Sequence, residues 1–174
     1  DHSITFPIIQ AYSQSYPDLN ILHIDAHPDL YDNFENNPYS HASPFARIME
    51  KGLVNRLVQV GIRTLNDHQK EQVKRFGVEV IEMKDFDPTV SFQFGGPVYI
   101  SIDMDALDPA FAPGVSHLEP GGLSTRDMIN IIHQLNGNVV GGDIVEYNPD
   151  RDINGMTAVV GAKLLKELLG KILK

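Results

Sequence analysis

Asn20-Ile21-Leu22-His23-Ile24-Asp25-Ala26-His27-Pro28-Asp29 joins a nearly continuous apolar run to a burst of carboxylates and imidazoles. A run of that character reads as a strand buried on both faces. Four more follow, at Arg56–Arg63, Val78–Met83, Val98–Asp103 and Val139–Val145, and helical patterns alternate with them. This order is the signature of α/β architecture built on a mostly parallel sheet. Punctuation supports the helices. Ser43-Pro44 offers an N-cap with proline at the first helical position, and Gly52 follows Lys51 as a stop. Asn66 and Gly77 bracket a polar helix, and Ser124 with Asp127 resembles a capping box for a helix ending near Gln134. Met156, Val160, Leu164, Leu165, Leu168, Leu169 and Ile172 fall on one face of a last helix. Lys84–Pro97, rich in Asp, Pro and Gly, reads as a surface loop.

The 174 residues suit one domain, 1–174, able to bury roughly 70% of the surface its unfolded chain exposes. A net charge of −9 argues against nucleic acid or an anionic membrane as partner and suits a site that gathers cations. With no cysteine, thiolate metal sites, disulfides and a cysteine nucleophile are excluded. No apolar run approaches the ~20 residues of a membrane span, and no signal peptide is visible.

The chemistry lies at strand ends. Alternation along a strand lets Asp25, His27 and Asp29 project together, a half-site for a hard or borderline cation. An acidic turn after a strand is the plainer alternative. In Ser101-Ile102-Asp103-Met104-Asp105-Ala106-Leu107-Asp108-Pro109, Asp103 and Asp105 again share a face, and two like charges there repel unless a cation joins them. An EF-hand is rejected, because Asp108 and Gly114 stand where its glycine and final glutamate are required. Four carboxylates and a histidine are more than one divalent ion needs. Two ions sharing bridging carboxylates fit better, and oxygen-rich ligation favours manganese or magnesium over zinc.

These motifs resemble the ureohydrolases, the arginase and agmatinase family. Asp1-His2-Ser3, Asp25–Asp29 and Ser101–Pro109 match three family motifs in order. The likeness continues through Ser40–Phe45, Gly114–Ser124 and Glu146–Pro149. It is strongest to plant-type arginases and their bacterial relatives. The resemblance implies a three-layer α/β/α fold whose sheet has eight strands in the order 2-1-3-8-7-4-5-6, the five found here corresponding to 8-7-4-5-6. It also implies two Mn2+ ions, one held by His2, Asp25, Asp29 and Asp103, the other by His27, Asp25, Asp103 and Asp105. His41 matches the histidine credited with proton transfer, and an imidazole exchanges protons near neutral pH. Glu146 matches the carboxylate that pairs with the guanidinium. Asn66 falls where arginases contact the substrate's α-amino group, and Asn36 and Asn37 belong to a loop suited to the same end.

The implied activity is hydrolysis of a guanidinium C–N bond to release urea, with L-arginine giving ornithine first and agmatine giving putrescine second. A metal-binding but inactive piece that needs a partner for missing strands is the reading of another class. A single-zinc, deacetylase-like site fits the two acidic clusters less well. The family implies a homo-oligomer for the full-length protein, in the cytoplasm or, in a plant, the mitochondrial matrix. The opening at Asp1 leads to the expectation that the chain is N-terminally incomplete, with one sheet flank uncovered. The uncovered edge is expected to make the chain self-associate, and His2, without a strand to hold it, to be tethered too loosely to complete its site, with low manganese affinity and weak or absent urea release. His23 is expected to pack in or beside the sheet, His68 to face solvent, and His117 to sit in a loop bordering the pocket.

Overall fold

The computed structural model describes residues 1–174. Its centre is a five-stranded sheet of β1 (Asn20–Ile24), β2 (Arg56–Ile62), β3 (Glu79–Glu82), β4 (Gln93–Asp103) and β5 (Asn136–Val145). All neighbours are parallel and the order is β3-β2-β1-β4-β5, as the resemblance implied. The helices are α1 (Thr5–Ser15), α2 (Pro44–Glu50), α3 (Asp67–Phe76), α4 (Thr125–Gln134) and α5 (Met156–Ile172).

Alternation along the strands sorts the helices onto two faces. Leu22, Ile24, Val58, Val60, Ile100 and Ile102 pack with Met128, Ile131 and Ile132 of α4 and Leu164 and Leu168 of α5. Ile21, Leu57 and Tyr99 point the other way, onto Ile9 of α1 and Phe45 and Ile48 of α2, with Val73 and Phe76 of α3 beside them. The result is three layers, α/β/α. Local signals hold as well. Asn66 accepts from the Gln69 N–H, Gly77 takes the left-handed conformation at φ 66°, and Ser124 with Asp127 forms a complete capping box. Ser43 departs from expectation, because its hydroxyl meets Ser40 at 3.0 Å instead of capping α2.

Three further expectations need correction. β4 begins at Gln93, so the stretch expected as a loop to Pro97 already pairs with Asn136 of β5 and buries Phe94. Backbone pairing there does not depend on apolar side chains, and hydrophobic pattern alone misses it. The opening residues form a 3₁₀ turn (His2–Ile4) running into α1, where no element was read. On α5 the apolar stripe divides: Leu164 and Leu168 are buried, while Met156, Leu165 and Leu169 stand about half exposed.

One glycine sets the approach of β2 to β1. Gly61 has φ 96°, and a Cβ there would stand 2.9 Å from the backbone carbonyl oxygen of Asp25. Gly61→Ala should therefore cost on the order of 1–3 kcal/mol, read as a fall in the denaturant midpoint. An unchanged midpoint would mean that β2 shifts freely.

Candidate metal centre and cavity

Register brings the strand ends together. Ile24 of β1 stands beside Ile102 of β4, so Asp25 and Asp103 emerge side by side, and Asp103 is paired with Val145, one residue before Glu146. Carboxyl ends of parallel strands are where open α/β sheets bind ligands. Asp29 at φ 49° and Glu146 at φ 63° both leave the sheet in the left-handed region, unusual for these side chains.

Asp25 is fully buried at the centre of the cluster. Its Oδ1 accepts from the His27 backbone N–H at 2.6 Å. His2 Nδ1 lies 3.2 Å from Asp25 Oδ2, 3.1 Å from Asp29 Oδ2 and 3.3 Å from Asp103 Oδ2. On the far side, His27 Nδ1 lies 3.1 Å from Asp105 Oδ2 and 3.5 Å from Asp25 Oδ1. Asp103 Oδ1 meanwhile accepts from the Asp105 backbone N–H at 2.8 Å. Two donor sets therefore abut, with Asp25 facing both.

His2 is not loosely held, contrary to expectation. It is 1% exposed. Asp1 caps its 3₁₀ turn by accepting from the Ser3 N–H, and the His2 N–H donates to Glu146 Oε1 at 2.9 Å. Thr5, at the start of α1, donates to Asp143 Oδ2 at 2.8 Å and fastens the segment to β5. The ring packs edge-on against Phe45, and its Nε2 lies 2.9 Å from Ser101 Oγ, which donates to Asp143 Oδ1 at 2.7 Å. A helical turn and a chain of side-chain hydrogen bonds hold it where no preceding strand is present.

This arrangement also tests whether the residues suit a cation. Because Ser101 gives its proton to Asp143, it accepts from His2 Nε2–H, so the neutral ring would set its Nδ1 lone pair against three carboxylates. Burial opposes charge on His2, but the facing carboxylates of Asp103, Asp25 and Asp29 raise its pKa. Nδ1 is buried without a hydrogen-bond partner. A lone pair among carboxylate oxygens repels them unless a proton or a cation lies between. The donor set, imidazole nitrogen with carboxylate oxygen, fits manganese.

Without a cation, protons take that place. Burial and the charge of Asp25 push Asp29 up to about 7, and burial with the charges of Asp25 and Asp105 raises Asp103 too. Burial works against charge on His27, yet hydrogen bonds to Asp105 and Asp25 raise its pKa to about 11. Burial pushes the His23 imidazole down to about 4, so it is neutral at pH 7. Metal uptake must then displace protons from the cluster. Manganese affinity should rise as pH increases through 7, and titration calorimetry in buffers of different ionisation enthalpy should register proton release. Equal enthalpies in all buffers would contradict this.

Above the cluster lies a cavity of about 210 Å³. His27, Asp29, Asp103 and Asp105 border it, together with His41, Glu146, His117, Tyr31, Phe34, Thr64 and Gln69. The His41 ring stands 5.5 Å from that of Phe34 and 6.1 Å from that of His117. Asn36 and Asn37 stand exposed in the loop after Asp29, outside this lining. Asn66 is also outside it, its amide shared between the α3 cap and the Tyr31 hydroxyl. His68 is about two-fifths exposed, stacks on Tyr31 and pairs with Asp32 at 3.2 Å.

Sequence reading passed over several supports. Asp143 and Ser101 stand behind His2, and the available signal was a carboxylate inside the apolar run of β5. Arg63 donates to the carbonyls of Gly61, Asp105 and Glu119, pinning the proline-rich loop that walls the cavity. Asp108 tightens the same loop by accepting from the N–H groups of Ala110 and Gly121.

The profile described as Arginase family matches residues 1–170. The chain belongs to the arginase family. It is 58% identical to "Arginase 1, mitochondrial" of Oryza sativa subsp. japonica over 183 aligned residues, which cover all of this chain and 54% of the rice protein. Among solved structures, the arginase from Medicago truncatula superposes with a TM-score of 0.95 at 56% identity, over 99% of this chain and 57% of that one. A triple mutant of a T. brucei arginase-like protein bound with Mn2+ superposes at 0.88 with 33% identity, over 99% of this chain and 59% of that one. The chain thus spans about half the length of the arginase relatives it matches. No helix is long and apolar enough to cross a membrane.

Proposed function

We propose that this chain carries the catalytic centre of an arginase, hydrolysing L-arginine to ornithine and urea with two manganese ions. The observation that carries the reading is the pair of abutting donor sets around Asp25, one led by His2 Nδ1 and one by His27 Nδ1. His2, Asp25, Asp29 and Asp103 would hold one ion and His27, Asp25, Asp103 and Asp105 the other. When bound, such ions supply positive charge that acidifies water and polarises the carbon under attack.

The remaining steps belong to side chains of this chain. Glu146, at the cavity wall, pairs through its planar carboxylate with the guanidinium and fixes its orientation. His41, which also lines the cavity, holds a proton at a ring nitrogen and delivers it to the departing amine. Asn66, Asn36 and Asn37 are assigned to the amino-acid end of the substrate, the first through the α3 N-terminus and the others through their loop. Residues 1–174 act in this reading as one ureohydrolase domain, homo-oligomeric in its full-length form. Its proposed location is the cytoplasm, or the mitochondrial matrix as in the name of the rice relative. Small guanidinium cations are the partners; nucleic acid and membranes are not.

Agmatine is the second reading, because no lysine or arginine lines the cavity to meet an α-carboxylate. Urea release from arginine and agmatine, measured side by side with manganese present, tests both. Faster turnover of arginine supports the first, and faster turnover of agmatine the second. Manganese uptake without urea from either supports the inactive, partner-dependent piece.

A further inference from the structure

Beneath the cluster lies a buried imidazole to which the proposed reaction gives no task. His23 is fully buried in β1, its ring stacked on Phe45 at 3.9 Å between centroids. Its Nε2 lies 2.7 Å from Asp25 Oδ2. His2, His23 and Asp25 also lie close enough together to form a three-ligand metal group by distance alone. Whether His23 binds metal or serves Asp25 depends on where its proton sits.

Gln59 of β2 decides that. Its Nε2 lies 2.7 Å from the Pro28 carbonyl oxygen and 3.0 Å from His23 Nδ1. The reversed amide would set oxygen against the Pro28 oxygen at that short distance, so the NH2 group must face both. One N–H then donates to Pro28 and the other to His23 Nδ1, which must be the unprotonated nitrogen. The proton of the neutral ring is left on Nε2, aimed at Asp25 Oδ2. A ring with Nδ1 accepting and Nε2 protonated has no lone pair to give a metal.

We infer that His23, locked by Gln59 as the Nε2–H tautomer, is a positioning residue for Asp25 and not a ligand. The inference rests on the two-ion reading given above. Asp25 receives one donor on each oxygen, the His27 backbone N–H on Oδ1 and the His23 ring N–H on Oδ2. The carboxylate plane is thereby fixed, with a lone pair left on each oxygen: Oδ1 toward the His27 side and Oδ2 toward the His2 side. That is the requirement for a bridging ligand, and it gives a task to a buried imidazole set in register between Gln59 of β2 and Ser101 of β4. Such outer partners orient ligands and tune their affinity.

Nitrogen NMR of the metal-free protein, labelled at histidine, should show His23 with a bare Nδ1 and a protonated Nε2. The reverse tautomer would overturn the inference. Manganese titration of variants supplies the second arm. His23→Leu removes the donor and should weaken manganese binding by about 10–100-fold. His23→Gln can still donate an amide N–H to Asp25 and should bind near the parental value. A folded His23→Leu with parental affinity would refute the positioning role. A His23→Gln protein that loses one ion outright would make His23 a ligand. Should His23→Leu fail to fold, the tautomer and His23→Gln still decide the question. A parent protein that takes up no manganese would sink the two-ion reading instead, and the tautomer would still be read.

Discussion

Asp25→Ala should abolish binding of both manganese ions and with it urea release. Its two oxygens face opposite donor sets, Oδ2 at 3.2 Å from His2 Nδ1 and Oδ1 at 3.5 Å from His27 Nδ1. Removing it also strands the His27 N–H and the His23 ring, both of which have Asp25 as their acceptor. The fall in affinity should exceed the 10–100-fold typical of losing an outer-shell partner. His27→Ala touches one donor set and should mainly weaken one ion. Asp103→Ala, which takes a carboxylate from beside His2 and an acceptor from the Asp105 N–H, should again affect both. Metal analysis of the purified variants reads the outcome. Unchanged stoichiometry in Asp25→Ala or Asp103→Ala would refute the bridging assignment.

His41→Ala should keep its manganese and lose about 10²–10⁴ in turnover, the usual contribution of general acid catalysis. The residue borders the cavity, yet no carboxylate of the cluster is hydrogen-bonded to it. Its loss should therefore leave the ligands undisturbed. Near-normal turnover at saturating substrate would reduce His41 to a wall residue, and loss of metal would place it in the cluster.

Strand ends made much of this legible, but alternation did not: β1 stops at Ile24, so Asp25–Asp29 lie beyond it, and Asp105 lies in a 3₁₀ turn, Met104–Ala106. Asp25, His27 and Asp29 follow β1, Asp103 ends β4 with Asp105 just after it, and the parallel register that joins them is what buried apolar runs favour. The remainder depended on contacts that no local pattern encodes. His2 owes its place to Thr5 and Asp143, 138 residues apart, and to a helix in a segment without a strong apolar period. The tautomer of His23 depends on Gln59 and Pro28, which the sequence separates by 31 residues. The early start of β4 escaped because its first residues pair through backbone groups while their side chains are mixed in character. Polar residues in the loop after Asp29 were equally compatible with recognition and with simple exposure, and Asn36 and Asn37 stand exposed.

The claim on which the rest depends is that two cations sit side by side on this cluster. Anomalous scattering at the manganese edge, recorded from crystals of the protein grown with manganese, tests it most directly. Two peaks, one beside His2 Nδ1 and one beside His27 Nδ1 with Asp25 between them, are the predicted result. A single peak, or none at these carboxylates, would contradict it.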